Sequence, residues 1–347
     1  MIKVLVVDDS ALIRGLLSEI IRSEPDFLLV GAAADAYAAK DMVINFQPDV
    51  ITLDVEMPKV DGLTFLDKLL KARPTPVIMI SSLTEQGAEV TLRALELGAV
   101  DYLAKPKIDI AKGIESYRKE IVSKIKTAAK AKIVKKVTPK HSQSVPLRFK
   151  TTEKIIAIGA STGGTQAIKD VLVGMPIDSP GIVITQHMPP GFTSSFAKRL
   201  DSVSKIKVIE AMGEERIIPG HAYLAPGDKH LTVVRSGADF RIKLTDGPRV
   251  SGHKPSVDVM FQSVADSVGS NALAVILTGM GKDGASGIRS IAEQGGYTFS
   301  QDEASSIIFG MPQEAIKTGC INEIVSLNEM SHRIIDVLNS KGKEYRI

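Results

Sequence analysis

Short apolar runs rich in valine and isoleucine recur through the first 106 residues, and an amphipathic stretch with helical spacing follows each run. Runs of this length and composition are typical of strands that are buried on both faces of a sheet. Because strands that alternate with helices form βαβ units, the pattern predicts a parallel sheet covered by helices. The predicted strands are Val4 to Val7, Leu28 to Ala32, Val50 to Leu53, Val77 to Ile80 and, more weakly, Tyr102 to Ala104.

A second α/β pattern begins at Ile155 and predicts another doubly wound, mainly parallel sheet. Its predicted strands are Ile155 to Ile158, Ile182 to Thr185 and Ala272 to Leu277. Between the last two lies a stretch that resembles antiparallel hairpins, because short apolar runs there are separated by glycine, proline and aspartate. These runs are Lys207 to Ala211, Ala222 to Ala225, Leu231 to Arg235 and Phe240 to Thr245.

The segment between the two patterns, residues 124–150, differs from both in composition. It contains nine basic residues and no acidic one, and Pro139 and Pro146 interrupt it. This composition predicts an exposed linker between a domain at residues 1–123 and a domain at residues 151–347. An alternative is that its basic side chains bind an acidic receptor surface or anionic lipid.

Charge, cysteine content and apolar runs exclude several classes of protein. The net charge of the chain is +3, and since the linker is strongly basic, the two domains are net acidic, which argues against a nucleic-acid partner. The single cysteine, Cys320, excludes an internal disulfide framework and a cysteine-rich zinc site. The sequence starts without a signal peptide, and no apolar run approaches ~20 residues, so we expect a cytoplasmic protein without membrane insertion.

Acidic residues, a serine and a lysine follow the predicted strands of the first domain. Asp8 and Asp9 follow the first strand, Asp54 the third, Ser81 the fourth and Lys105 the fifth. Ligands bind outside the carboxyl ends of parallel strands, so these side chains are expected at one edge. Crowded carboxylates favour a hard cation such as Mg²⁺, and a lysine can neutralise phosphoryl oxygens. Taken singly, the same residues could be helix caps or members of surface ion pairs.

In this order the residues resemble the receiver domain of bacterial response regulators, which implies a (βα)5 fold. The resemblance implies that Asp54 accepts a phosphoryl group from a histidine kinase, that Lys105 contacts this group, and that Ser81, or less readily Ser82, is the hydroxyl switch. It also implies Mg²⁺ bound by Asp9, Asp54 and the backbone carbonyl of Glu56, with Asp8 acting through water. The segments that carry the resemblance are Val7-Asp8-Asp9-Ser10, Leu53-Asp54-Val55-Glu56-Met57-Pro58, Asp61-Gly62 and Lys105-Pro106.

The first strand of the second domain leads into Gly159-Ala160-Ser161-Thr162-Gly163, which fits G-x-S-x-G. A sharp turn between a strand and a helix exposes the serine hydroxyl, and the helix N-terminus favours an oxyanion nearby. The motif is common by chance, and a glycine-rich turn could instead hold phosphate, although it fits neither the dinucleotide nor the Walker pattern.

A serine nucleophile needs a base, and the base needs an orienting carboxylate. His187 follows the strand that ends near Thr185, and Asp283 lies in the glycine-rich loop after the strand that ends near Leu277. All three candidates thus leave strand carboxyl ends, in an order unlike that of the α/β-hydrolases. Taken alone, His187 could be a structural histidine and Asp283 a turn residue. The other histidines, His253 among them, lie in the linker, in a terminal helix, or near predicted hairpins and loops.

The combined motifs resemble the catalytic domain of the chemotaxis protein-glutamate methylesterases, the CheB family. The resemblance implies that Ser161 attacks the γ-methyl ester of a glutamate on a chemoreceptor, with His187 as base and Asp283 orienting it. It implies support of the oxyanion near Met280 and by Thr162, deamidation of receptor glutamines, and no cofactor for the esterase. The segments that carry it are Ile158 to Gly164, Gln186-His187-Met188-Pro189, Tyr223 to Gly227, Pro255-Ser256-Val257-Asp258, Leu277 to Gly281 and Gln301-Asp302-Glu303-Ala304.

Joining a receiver to a hydrolase suggests that phosphorylation controls the esterase. We hypothesise that the unphosphorylated receiver covers the rim near Ser161 and that a phosphoryl group on Asp54 favours opening. One rival is a transcriptional regulator, for which residues 151–347 lack a clear groove-reading element and a basic excess. Another is a hydrolase of small esters or peptides.

Overall fold

The computed structural model describes residues 1–58, 60–82, 84–105, 114–132 and 153–341. The chain divides into two compact units, Met1–Ile133 and Val134–Ile347. Most of the predicted linker, residues 133–150, and Pro106 of the receiver motif lie outside the described residues. Among the helices of the described ranges, none has both the length and the apolar character that a bilayer span requires.

The first unit is a five-stranded parallel sheet with alternating helices. Its elements are β1 (Ile2–Val7), α1 (Ala11–Ser23), β2 (Phe27–Ala33), α2 (Ala36–Phe46), β3 (Val50–Asp54), α3 (Gly62–Ala72), β4 (Val77–Ser81), α4 (Glu85–Leu97), β5 (Asp101–Ala104) and α5 (Ile114–Ala128). The strand order is β2-β1-β3-β4-β5, and every adjacent pair is parallel. All residues of β3 and β4 are buried, as expected for central strands with helices on both faces. The predicted (βα)5 architecture is confirmed.

Helix α5 extends into the start of the predicted linker, residues 124–150. Ile121, Ile125 and Ala128 are buried on one face, with the i, i+4, i+7 spacing of a helix that packs on a sheet. Lys124, the first residue of the predicted linker, donates a hydrogen bond to Asp101 at 2.7 Å. The last turns of this helix are therefore part of the first unit.

The second unit contains a seven-stranded parallel sheet and a separate two-stranded antiparallel hairpin. Its elements are β6 (Ile155–Ala160), α6 (Gly164–Gly174), β7 (Gly181–Gln186), α7 (Phe192–Val203), β8 (Lys207–Glu210), β9 (His221–Leu224), β10 (His230–Ser236), β11 (Asp239–Thr245), α8 (Val257–Val268), β12 (Ala272–Ile276), α9 (Ala285–Glu293), β13 (Tyr297–Gln301), α10 (Met311–Lys317), β14 (Glu323–Val325) and α11 (Leu327–Lys341). The sheet order is β14-β13-β12-β6-β7-β9-β8, with every adjacent pair parallel. The doubly wound, mainly parallel prediction is confirmed.

Only one of the two predicted hairpins exists. β10 and β11 pair antiparallel, whereas β8 and β9 pair parallel and extend the main sheet. β9 also pairs parallel with β7, and its residues Ala222, Tyr223 and Leu224 are buried. The prediction was wrong for β8 and β9, because the connection between them spans residues 211–220, which is too long for a tight hairpin.

The hairpin packs on α8 and fixes the position of this helix over the sheet. Ser263 on α8 accepts a hydrogen bond from the backbone N–H of Val233, and Ser267 donates to the carbonyl of the same residue. On the sheet side, Val257, Met260 and Phe261 are fully buried. The N-terminus of α8 is therefore held near the carboxyl ends of the central strands.

Candidate active site and phosphoacceptor pocket

The three residues predicted for hydrolysis follow three neighbouring strands of the sheet, β6, β7 and β12. β6 lies between β7 and β12, and Ala160 of β6 pairs with Gln186 of β7. Ser161 and His187 directly follow that pair, and the N–H of His187 donates to the Ala160 carbonyl at 3.2 Å. The N–H of Ser161 donates to Thr278, just after β12, at 3.0 Å. The segments that follow β6, β7 and β12 therefore meet at the carboxyl edge of the sheet.

The turn that carries Ser161 depends on glycine. Gly163 has φ of +79°, a left-handed conformation that side chains other than glycine rarely adopt. The N–H of Gly164, the first residue of α6, donates to the Ser161 carbonyl at 2.7 Å, which closes the turn. Ser161 therefore lies immediately before the N-terminus of a helix, where backbone N–H groups favour negative charge.

The imidazole of His187 is bonded to the carboxylate of Asp283. The Nε2 atom of His187 lies 2.7 Å from Oδ2 of Asp283, and both side chains are buried. Asp283 is further bonded to the start of α8: Oδ2 accepts from the N–H of Val257, and Oδ1 accepts from the N–H of Asp258 and the hydroxyl of Ser256. The carboxylate therefore lies at a helix N-terminus, which stabilises its charge.

These contacts keep Asp283 ionised. Burial alone would raise the pKa of Asp283, but the hydrogen bond and charge of His187 and the N–H donors of Val257 and Asp258 outweigh burial and lower this pKa to about 2. The ionised carboxylate fixes Nε2 of His187 as the donor of the pair. In the neutral imidazole, Nδ1 then carries the lone pair, and it is buried without a hydrogen-bond partner among the described residues. Nδ1 is thus the atom that can take a proton.

A second histidine covers one face of His187. The rings of His187 and His253 are stacked, with centroids 3.6 Å apart and planes within 9°. His253 lies in the loop between β11 and α8, where its backbone makes two hydrogen bonds with Val250. His253 could not be assigned to the site from the sequence, because its position depends on this loop rather than on a strand end.

Ser256 is another site residue whose role was missed. No role was predicted for it from the sequence, yet its hydroxyl donates to Asp283. The same hydroxyl caps α8 by accepting from the N–H of Val259. A serine directly before a predicted helix is the usual sign of an N-cap, so this signal was present in the sequence.

Thr162 and Met280 both lie beside Ser161. A Cβ atom built on Gly279 would lie 2.7 Å from the Ser161 Cβ, so the loop carrying Met280 passes directly against the serine. The Met280 side chain is partly exposed. Thr162 is buried, and its carbonyl accepts from the Thr278 hydroxyl at 3.0 Å. Their proximity is compatible with support of an oxyanion.

The predicted phosphoacceptor residues also meet at one edge of their sheet. Carboxylate oxygens of Asp8, Asp9 and Asp54 lie within 4.8 Å of one another. Lys105 Nζ lies 2.8 Å from Oδ2 of Asp54 and 3.9 Å from Oδ2 of Asp8. Asp8 and Asp54 are buried, whereas Asp9 is exposed. One lysine thus faces a cluster of three carboxylates.

The electrostatics of this cluster fit a divalent cation. Burial raises the pKa of Asp54 to about 6, against the opposing effect of Lys105, and burial likewise raises the pKa of Asp8. Oδ2 of Asp8 is buried without a hydrogen-bond partner in the described part of the chain. The backbone N–H of Glu56 donates to Asp54 at 3.2 Å, while the Glu56 side chain is exposed. Oxygen donors of this kind suit Mg²⁺.

Ser81, the predicted switch residue, is on β4, the strand between β3, which ends at Asp54, and β5, which precedes Lys105. It ends β4, and its carbonyl accepts from the N–H of Lys105 at 2.7 Å. Its buried hydroxyl donates to the carbonyl of Gly87 at 3.1 Å. Ser82 is bonded through its hydroxyl to Thr84.

Comparisons with known proteins identify both halves of the chain. Residues 156–334 match the family model described as CheB methylesterase, and residues 4–116 match the response regulator receiver domain.

Similar proteins cover the full length of the chain. Protein-glutamate methylesterase/protein-glutamine glutaminase 2 of Pseudomonas aeruginosa is 55% identical, over 100% of this chain and 99% of that protein. The protein-glutamate methylesterase/protein-glutamine glutaminase of Thiobacillus denitrificans is 55% identical, over 99% of this chain and 98% of that protein. The crystal structure of the Thermotoga maritima CheB methylesterase catalytic domain matches with a TM-score of 0.52 and 37% identity, covering 53% of this chain and 98% of that one.

Proposed function

Since the chain belongs to the CheB methylesterase family and carries a response regulator receiver domain, we propose that Ser161, His187 and Asp283 are its catalytic triad. The enzyme hydrolyses glutamate γ-methyl esters on chemoreceptors, releasing methanol, and its activity is regulated by phosphorylation of the receiver. The observation that carries the triad is the 2.7 Å contact between His187 Nε2 and Asp283 Oδ2, beside the turn that holds Ser161.

The geometry supports a two-step mechanism. As Ser161 Oγ attacks the ester carbonyl carbon, Nδ1 of His187 takes the hydroxyl proton, and Asp283 stabilises the resulting imidazolium. The tetrahedral intermediate collapses when the imidazolium returns this proton to the methoxide oxygen, and methanol leaves. His187 then takes a proton from a water molecule, which attacks the acyl-enzyme; the receptor glutamate leaves as a γ-carboxylate, and the proton returns to Ser161 Oγ.

The oxyanion of the intermediate needs hydrogen-bond donors beside Ser161. We assign this support to the backbone at Met280 and to Thr162, which lie beside the serine, together with the N-terminus of α6. A glutamine amide passes through the same kind of intermediate and releases ammonia instead of methanol, so one site serves both the esterase and the glutaminase reactions.

In the receiver, we assign Asp54 as the residue that accepts a phosphoryl group from a histidine kinase. Asp9, Asp54 and the backbone carbonyl of Glu56 would hold Mg²⁺, with Asp8 acting through water, and the ion neutralises the charge of the incoming phosphoryl oxygens when bound. Lys105, now paired with Asp54, would contact the phosphoryl group. Ser81, which ends the neighbouring strand, is the assigned hydroxyl switch. We place the enzyme in the cytoplasm, together with this kinase.

The triad is tested by methanol release from radiomethylated chemoreceptors. We expect Ser161→Ala to reduce the rate constant by about 10⁴-fold or more, because no other hydroxyl replaces the nucleophile. Circular dichroism confirms that the variant is folded. Turnover of a generic small ester at the same kcat/KM as the receptor would favour a small-molecule hydrolase, and a Ser161→Ala enzyme with wild-type activity would exclude the triad.

A further inference from the structure

Gln186 links the turn that carries Ser161 to the strand end that carries His187. Its side chain is 3% exposed, and its Nε2 atom donates to the Ser161 carbonyl at 2.9 Å and to the His187 carbonyl at 3.2 Å. Both acceptors are carbonyl oxygens, which only the NH₂ end of an amide can satisfy, so the hydrogen bonds themselves fix the amide orientation. We propose that Gln186 is a positioning residue that keeps the proposed nucleophile, Ser161, and the proposed base, His187, correctly placed relative to each other.

The two hydrogen bonds act on backbone angles that aim the catalytic side chains. The direction of a residue's carbonyl is set by its ψ angle, one of only two soft dihedrals in each residue. One NH₂ group therefore restrains ψ of both Ser161 and His187. The strand pairing ends at Ala160 and Gln186, so beyond that point this amide adds a direct link between the two segments.

The other end of the amide explains why a glycine, Gly164, directly follows the G-x-S-x-G motif. A Cβ atom on Gly164 would lie 2.2 Å from Oε1 of Gln186 and 2.6 Å from Cβ of Ala160. The amide oxygen thus occupies the space that a side chain at Gly164 would need. It has no hydrogen-bond partner among the described residues, but it lies against the N-terminus of α6, whose partial positive charge favours an oxygen there.

The inference rests on the proposed triad, and it concerns alignment rather than chemistry. Within the described part of the chain, the Gln186 amide bonds to the backbone carbonyls of Ser161 and His187 and not to their side chains, so its loss should lower kcat and leave KM nearly unchanged. Misplacement of a catalytic group by about 1 Å costs on the order of 100-fold in rate. We expect a loss of about ten-fold or more when the two backbone hydrogen bonds are removed.

Two variants in the full-length chain test this inference. Gln186→Met keeps the side-chain length but has no donor, and Gln186→Asn keeps an amide but shortens it by one methylene. The matched control is Thr298→Val, which removes a fully buried hydroxyl that bonds the backbone of Cys320 and Asn322. Thr298 lies near the amino end of β13, whereas the site lies at the carboxyl ends of the strands. Methanol release gives kcat and KM, and labelling by a fluorophosphonate reports the reactivity of Ser161 directly.

We expect both Gln186 variants to lose about ten-fold or more in kcat and in labelling rate, with KM within about two-fold of wild type. Thr298→Val should lower the unfolding temperature and leave kcat unchanged. Wild-type kcat in folded Gln186 variants would overturn the inference. So would failure of both variants to fold, since that would assign Gln186 to folding. Ser161→Ala in the same assay separates the two questions: if it stays active, the triad itself fails.

Discussion

At the scale of single residues, the Asp283 carboxylate has a proposed role in the esterase reaction and also contributes to the stability of the fold. It is buried, it accepts hydrogen bonds from Ser256, Val257 and Asp258, and it holds His187. These partners lower the pKa of Asp283 to about 2, from an ordinary value of 3.8. A carboxylate with a depressed folded-state pKa stabilises the fold above its unfolded pKa, and this contribution is lost as the pH falls through the folded pKa.

The first prediction follows from the direction of this change in stability with pH. We expect the free energy of unfolding of the wild type to fall relative to that of Asp283→Asn between about pH 4 and pH 2, by about 2 kcal/mol. Urea unfolding of both proteins across this pH range measures the difference. At neutral pH, Asp283→Asn should also lose most of its esterase activity, since the imidazolium is no longer stabilised. Parallel pH profiles of stability would show that the pKa of Asp283 is the same in the folded and unfolded states, contrary to this prediction.

The three residues of the proposed triad could be located from the sequence because each directly follows, or lies in the loop after, a predicted strand. The carboxyl end of a parallel strand fixes where the next residues lie, so the position of Ser161 follows from secondary structure alone. His253 gave no such signal, because its stacking on His187 depends on the path of a loop. The role of Gln186 was hidden for a different reason, since a strand residue with a polar side chain reveals nothing about which carbonyls it contacts.

At the scale of elements, α8 connects the hairpin, the sheet and the active site. Its N-terminus binds Asp283 through the Ser256 hydroxyl and two backbone N–H groups. In the middle of the helix, the Ser263 hydroxyl accepts a hydrogen bond from the backbone N–H of Val233 in the hairpin. The helix therefore contacts both the hairpin and the Asp283 carboxylate, and the two contacts can be tested separately.

The second prediction compares two serines associated with this helix. Ser256→Ala removes the N-cap and one donor to Asp283, so we expect a loss of about 1 kcal/mol in stability and about ten-fold in kcat. Ser263→Ala removes a hydrogen bond of the same helix away from the site, and we expect a similar loss of stability with kcat unchanged. Urea unfolding and methanol release provide the two measurements. Equal kcat values for the two variants would mean that the Ser256 hydroxyl does not support the triad.

Strand β13 and the pairing of β8 with β9 show where sequence patterns fail to predict strands or their direction. The strand β13 was not predicted, because its sequence Tyr-Thr-Phe-Ser-Gln is largely polar, yet Thr298, Ser300 and Gln301 are buried and hydrogen-bonded. Burial of polar side chains is tolerated there because each finds a backbone partner, which composition cannot reveal. The parallel pairing of β8 with β9 likewise depends on which strand each segment meets in space.

At the scale of the whole molecule, the chain joins two parallel sheets, each with its chemistry at its own carboxyl edge. Within the receiver, Lys105 contacts both the proposed phosphoacceptor and the proposed switch residue, because its ammonium binds Asp54 and its backbone N–H donates to the carbonyl of Ser81. A phosphoryl group on Asp54 adds negative charge and strong acceptor oxygens beside that ammonium. Phosphorylation must therefore rearrange the polar contacts of the pocket.

The final prediction is that this rearrangement controls the esterase. A switch works only if the two phosphorylation states favour different arrangements of the domains, so the esterase rate must depend on the state of Asp54. With acetyl phosphate and Mg²⁺, we expect the intact chain to release methanol faster by about ten-fold, within the usual range of coupling between two sites. Asp54→Asn should stay at the basal rate under the same conditions, and Ser161→Ala should stay inactive. Equal rates with and without acetyl phosphate, together with the same rate in a chain that starts near Thr151, would show that the receiver does not restrain the catalytic domain.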